Sequence, residues 1–251
     1  MIIQTEEELK GIQEISDIVA ITVKKMKEYV RTGMTTKELD DFGRNILKNF
    51  GANSAPFVTY QFPGWTCISI NNEMAHGIPS SRILKEGDLV NIDVSAELNG
   101  FYSDNGASFV LEEDINEKQA LVDTSIEALY KAISVIKSGI KISEVGRIIE
   151  KTAKDKGYKV IKNLGGHGVG KALHEDPDCI LNYYDRHDRR RFKKNSVVAI
   201  ETFLTTGSTL VNTAADGWTF AGNKGGFCVQ HEHTILVTSD NPIILTAKNG
   251  I

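Results

Sequence analysis

The chain has 251 residues, 41% of them hydrophobic and 25% charged, and carries a formal net charge of −4. That composition is ordinary for a soluble protein at the upper end of single-domain size, and the acidic balance argues against a dedicated nucleic-acid binder. Three widely spaced cysteines (Cys67, Cys179, Cys228) make no disulfide framework, no apolar run approaches the roughly 18 residues of a membrane span, and the N-terminus carries no secretory pattern. The expectation is one domain over residues 1–251, cytoplasmic and free of the membrane.

Taken in order, Thr5 followed by Glu8 reads as a capping box. Behind it Leu9, Ile12, Ile15, Val19, Val23, Met26 and Val30 recur at helical spacing, which predicts an amphipathic helix over 6–31. Thr36 is expected to cap a second helix with Leu39, Phe42, Ile46 and Phe50 on one face, stopped by Gly51. Residues 66–70 read as a strand turned back at Asn71-Asn72. Strands over 88–98 and 101–110 flank Asn99-Gly100, the dipeptide of a type I′ hairpin turn. Helices follow over 114–138 and 143–156. A strand at 158–161 leads into a glycine-rich stretch, and strands at 196–205, 208–213 and 227–237 finish the chain. The pattern is α+β, with helices interleaved among antiparallel strands in two similar halves.

The glycine-rich stretch, Asn163 to Pro177, holds His167 and His174 and four glycines in its first eight residues. Such a backbone lets a ligand approach closely, although a loop with two solvated histidines fits as well. The hairpin adds a geometric test. With a two-residue turn at Asn99-Gly100, Leu98 pairs with Phe101 and Asp104 falls opposite Ser95. Asp93 and Asp104 then share one face as diagonal neighbours, about 7–8 Å apart at Cα. Two converging carboxylates repel unless a cation lies between them; projection of both into water is the alternative. Glu201, in VVAIETF, and Glu232, in VQHEHT, lie on strands apolar enough to be central, where a glutamate is rarely buried without a partner. Oxygen ligands with one imidazole suit Mn, Fe, Co or Zn better than a thiolate-bound zinc.

These residues resemble the type I methionine aminopeptidases of the pita-bread fold, over nearly the whole chain. The matching motifs are CISINNEMAHGIP (67–79), EGDLVNIDVSAELNGFYSDNGASF (86–109), KNLGGHGVGKALHEDP (162–177), VVAIETF (197–203) and VQHEHT (229–234). The resemblance implies a pita-bread fold, an antiparallel sheet covered by helices in pseudo-two-fold halves, in the short bacterial form. It implies removal of the initiator methionine from nascent polypeptides, with a small second residue preferred. Asp93, Asp104, His167, Glu201 and Glu232 would bind two divalent metal ions (Co, Mn, Fe or Zn), with Asp104 and Glu232 bridging. Glu201 would also move the proton, His174 would donate to the developing oxyanion, and His76 would contact the scissile amide. Phe62, Cys67 and Trp218 would line the methionine pocket, and the protein would be a monomer.

Three positions depart from the family pattern. Thr202 stands where a proline usually follows the metal-binding glutamate; proline fixes φ, so a looser strand and weaker metal affinity are expected. Leu173 replaces a phenylalanine before His174, which should widen the cleft. His231 occupies a usually apolar or aromatic position. His231 and His233 should point away from Glu232, towards solvent or a hydrogen bond. The basic run 186–194 holds six Lys/Arg among nine residues; it reads as a solvated loop, with contact to ribosomal RNA as the sharper alternative. The rival functions are a peptidase for proline-containing substrates with the same metal site, and a non-enzymatic peptide-binding relative.

Overall fold

The computed structural model describes residues 1–251. The chain opens with α1 (Glu6–Tyr29) and α2 (Thr36–Asn49), then a short strand β1 (Asn53–Ser54) and a six-residue helix α3 (Ala55–Tyr60). Strands β2 (Cys67–Ile70), β3 (Glu73–Ala75), β4 (Leu89–Leu98) and β5 (Phe101–Val110) complete the first half. In the second half α4 (Gln119–Ser134) and α5 (Ser143–Asp155) again precede strands: β6 (Lys159–Val160), β7 (Gly165–Gly168), β8 (Glu175–Leu181) and β9 (Val197–Thr205). The chain closes with β10 (Val211–Thr213), β11 (Phe220–Gly222), β12 (Cys228–Leu236), β13 (Ile243–Ile244) and a 3-10 turn over Ala247–Asn249.

Local chemistry accounts for the boundaries. Thr5 accepts the Glu8 amide, while the Glu8 carboxylate reaches past the cap to the Gln4 amide. The second helix is capped by Thr35, not Thr36. Its hydroxyl accepts the Glu38 amide and the Glu38 carboxylate accepts the Thr35 amide, a reciprocal box that needs the acid three residues on. α4 starts at Gln119, later than expected, because the Asp114 carboxylate accepts the amides of Lys118 and Gln119 from outside the helix. The expected hairpin is present. Asn99 and Gly100 take φ of 53° and 79°, and Leu98 pairs with Phe101 and Ser95 with Asp104.

β4 pairs with β5 along one edge and with β1 and β2 along the other. The larger sheet runs β13-β12-β9-β7-β8, with β6 also on β9, and β10-β11-β3 forms a third, small sheet. The two main sheets meet where β5 lies beside β12, and side chains rather than backbone bridge that seam. The Asp104 amide donates to Thr234 Oγ1, whose hydroxyl donates to the Asp104 carbonyl, and Asn91 and Ser108 donate to the Gln230 carbonyl.

Each half buries one helix-facing side of its strands. α1 lays Ile12, Ile15, Val19 and Val23 on Val90, Ile92, Val94 and Phe109. α4 and α5 lay Leu121, Leu129, Val145 and Ile149 on Val198, Ile200 and Val229. Strand side chains alternate faces, so Asp93 on β4, Glu201 on β9 and Glu232 on β12 are turned away from those helices. The two halves therefore aim their acids at the space between them. No helix is long and apolar enough to cross a membrane.

Candidate metal centre

Five strands, β4, β5, β7, β9 and β12, carry the four acids and one imidazole towards a common point. Asp104 from β5, His167 from β7 and Glu232 from β12 have ligand atoms within 4.8 Å of one another, and all three residues are buried. Glu201 is the cross-strand partner of Glu232, and Asp93 lies two residues from the partner of Asp104, on the same face. His167 Nε2 sits 3.7 Å from Asp104 Oδ2 and 3.6 Å from Glu201 Oε1. Its other nitrogen, Nδ1, is 3.0 Å from the Gly168 carbonyl. A carbonyl only accepts, so Nδ1 carries hydrogen, and in the neutral ring Nε2 presents its lone pair to two carboxylates.

Neighbours hold these side chains in place. The Ser95 hydroxyl donates to Asp104 Oδ1 at 2.8 Å. Gln230 donates to Glu232 Oε2 at 2.9 Å and is itself held by Asn91, 2.8 Å from Gln230 Oε1. Asn182 donates to the Glu201 carbonyl and accepts the Phe203 amide, which pins β9 immediately after the glutamate. Asp40, fully buried on α2, accepts the amides of Trp65 and Thr66 and fixes the approach to Cys67. Gln230 was legible, two residues from Glu232 and so on the same face. Asn182 and Asp40 carry no such signal.

The electrostatics of the bare site are unfavourable. Burial, then repulsion from Asp104, pushes the carboxyls of Asp93, Glu201 and Glu232 well above the usual carboxylate range. Asp93 Oδ1 and Glu232 Oε1 are buried without a hydrogen-bond partner. Unpaired buried carboxylate oxygens, in the same cluster as an imidazole lone pair that meets two further carboxylates, make a donor set that divalent cations resolve, since they neutralise the acids and occupy the lone pairs. The residues fit such ions.

Above this cluster lies a cavity of about 270 Å³ whose lining includes Asp93, Asp104, His167 and Glu201 together with His76, His174, Phe62, Cys67, Leu173 and Trp218. His174 stacks obliquely on His167, ring centroids 4.2 Å apart. Burial, then His167, drives the His174 pKa down to about 4, so the ring is neutral near pH 7. His76 takes the left-handed backbone conformation, φ 56°, and its ring lies 4.8 Å from that of Phe220. Such strain persists only where surroundings enforce it and tends to mark functional positions. Phe62 meets the edge of Trp218 at 5.3 Å. Burial, then Asp93, raises the Cys67 thiol well above its ordinary range, so Cys67 is an apolar wall rather than a nucleophile.

Several expectations need correction. The glycine-histidine stretch begins as a strand, β7, not a loop, and its glycines make room for neighbouring strands rather than for metal or substrate. A Cβ on Gly166 would run into the Ala199 carbonyl oxygen, and one on Gly168 into that of Asp176. His231 and His233 take the hydrogen-bonded alternative rather than the solvent one: both are fully buried, because α4 covers the outer face of β12. His231 bonds Ser125 and the Ser108 carbonyl, and His233 bonds Thr246 and Tyr130. At Thr202 the pairing of β9 with β12 is unbroken. The residue keeps its place opposite His231, and its hydroxyl lies 2.7 Å from that of Ser125. The basic run is partly tied down: Arg190 bonds Asp178 and Asp188, Arg191 bonds the Gly139 carbonyl, and Phe192 is buried.

The sequence pattern of metallopeptidase family M24 matches residues 10–239. The chain is 47% identical over 247 residues to the methionine aminopeptidase 2 of Bacillus subtilis (strain 168), covering 98% of this chain and 99% of that one. Its structure resembles the methionine aminopeptidase of Thermotoga maritima with a TM-score of 0.92 at 34% identity, covering 98% and 99% of the two chains. The prolidase from Pyrococcus furiosus is also similar, with a TM-score of 0.78 at 25% identity, but this chain spans 65% of that longer protein.

Proposed function

The chain belongs to metallopeptidase family M24 and has its pita-bread fold, and on that premise we propose that it removes the initiator methionine from new proteins. It would act as a monomer in the cytoplasm, with residues 1–251 forming one catalytic domain. The observation that carries this reading is the buried cluster of Asp104, His167 and Glu232 at the base of the cavity, with partnerless carboxylate oxygens beside it.

Asp93, Asp104, His167, Glu201 and Glu232 would hold two divalent cations (Co, Mn, Fe or Zn). Such a pair, when bound, polarises the scissile carbonyl and makes water at the site more acidic. The protein's own groups do the rest. The Glu201 carboxylate accepts a proton from the attacking water and passes one to the leaving amine nitrogen. His174 donates an N–H to the carbonyl oxygen as it becomes anionic. His76, fixed by its constrained backbone, contacts the scissile amide. Phe62, Cys67 and Trp218 enclose the methionine side chain in a soft apolar wall, and the same closeness to the acids favours a small second residue.

The deciding assay is metal-dependent release of methionine from Met-Ala-Ser against cleavage of Ala-Pro, with Mn, Fe, Co and Zn in turn. Methionine release with little Ala-Pro cleavage is expected. Preference for Ala-Pro would assign the chain to the proline-specific branch, and no turnover with any of the four metals would favour a peptide-binding module.

A further inference from the structure

We propose that Tyr60 is a positioning residue for this reaction: its phenol fixes which nitrogen of His174 carries hydrogen, and hence which atom meets the scissile carbonyl. The proposal rests on reading His174 as the donor to that carbonyl.

Tyr60 is placed by a local device absent from the expected elements. Ser54 accepts the Phe57 amide to start α3, Pro56 occupies its first turn, and Gln61 ends it in the left-handed conformation at φ 60°. The helix therefore stops with Tyr60 as its last residue, beside the cavity. The tyrosine oxygen reaches across the fold to His174, 114 residues away in sequence, and lies 2.8 Å from Nδ1. The rings themselves are 5.8 Å apart at 43°, so the link is this hydrogen bond rather than a stack.

A neutral imidazole has one donor nitrogen and one acceptor. Burial raises the Tyr60 phenol above its ordinary range, so at neutral pH its oxygen carries hydrogen to give. Donation from that hydroxyl into Nδ1 puts the ring hydrogen on Nε2. His174 makes no other hydrogen bond, and it lines the cavity, so the Nε2–H remains available for an acceptor there. The opposite arrangement, with Nδ1–H donating to the tyrosine oxygen, would turn an Nε2 lone pair towards the same acceptor and repel it. Tyr60 thus does for His174 what the Gly168 carbonyl does for His167, with the opposite sign. One neighbour leaves Nε2 bare for a cation, and the other leaves it protonated for an oxyanion.

Tyr60→Phe keeps the ring and deletes only the hydroxyl, at a side chain that is about half exposed, 45%, so folding should be unaffected. Metal-free and zinc-loaded protein labelled with 15N-histidine report the ring state of His174 directly, and His174→Ala assigns its signals. In the unsubstituted protein His174 should show Nε2–H and a hydrogen-bonded Nδ1. In Tyr60→Phe the Nδ1 signal should move to that of an unbonded nitrogen or report mixed tautomers. kcat for methionine release should fall about 3- to 30-fold with KM within about twofold, less than the roughly 100-fold loss expected when the donor itself is removed in His174→Ala. An unchanged His174 ring and kcat in Tyr60→Phe would overturn the proposal, as would a raised KM at constant kcat, which would make Tyr60 a plain substrate contact. His174→Ala with full activity would instead overturn the reading of His174, while the nitrogen signals would still decide whether Tyr60 sets the ring.

Discussion

Thr202 and His231 face each other across β9 and β12, and one buried hydroxyl, that of Ser125 on α4, lies 2.7 Å from the threonine oxygen and 3.0 Å from His231 Nδ1. Two departures from the family pattern therefore belong to one network, and they sit next to Glu201 and Glu232. Thr202→Val preserves shape but removes one of the two partners of the Ser125 hydroxyl at a fully buried position, which should cost about 1–3 kcal/mol. Denaturant unfolding measures that loss, and calorimetry should show weaker Mn binding alongside it. Stability and Mn affinity equal to the unsubstituted chain would show the hydroxyl to be inert.

Asp104 raises the pKa of Asp93, Glu201 and Glu232 more than any other charge does. Asp104→Asn should therefore abolish metal binding and activity together, yet stabilise the metal-free protein near neutral pH by removing that repulsion. The Ser95 bond to Oδ1 survives if the amide oxygen takes that position. Thermal unfolding without metal, read beside metal stoichiometry, tests both halves. A variant that still binds metal would remove Asp104 from the ligand set.

Metal and pH should be linked, with a sign that follows from the shifts. The raised carboxyls of Asp93, Glu201 and Glu232 bind more protons folded than unfolded above the ordinary carboxylate value of about 4, so metal-free stability falls as pH rises from there. His231 and His233 work oppositely. Burial lowers them to about 3 and about 4, so their contribution is whole above the ordinary imidazole value of about 6.5 and is lost as pH falls below it. Bound cations cancel the carboxylate effect and leave the histidine effect untouched. The rise in Tm on adding Mn should therefore grow from about pH 5 to about pH 8, with protons released on binding. A rise that shrinks over that range would contradict the assignment of these acids as ligands.

The pocket wall has its own signature. Trp218→Ala removes the partner that Phe62 meets edge-on at 5.3 Å, an apolar contact made equally before and during reaction. kcat/KM for methionine substrates should fall about 10-fold, nearly all of it in KM. Steady-state kinetics on Met-Ala-Ser checks this, and a fall confined to kcat would mean that Trp218 acts on the chemistry instead.

What the sequence made legible follows from how local each signal is. Asn99-Gly100 dictates a turn type, the turn dictates register, and register puts Asp93 and Asp104 on one face, as found. Glycines at 165, 166 and 168 hide a strand, because their purpose is the close approach of Ile180, Ala199 and Asp176 from elsewhere in the chain. α3, at six residues, is too short to show a helical period, so nothing in the sequence marks Tyr60 as a neighbour of His174. The burial of His231 depends on α4 covering β12, and alternation along one strand says which face a side chain takes but not what lies against it.

The most direct test of the central claim is an anomalous difference map from crystals grown with Mn. Two peaks about 3.5–4 Å apart, both within bonding distance of the carboxylates of Asp104 and Glu232, with Asp93 on one side and His167 and Glu201 on the other, are the predicted result. A map with no peak among these five residues, or with a metal held without Asp104 and Glu232, would contradict it.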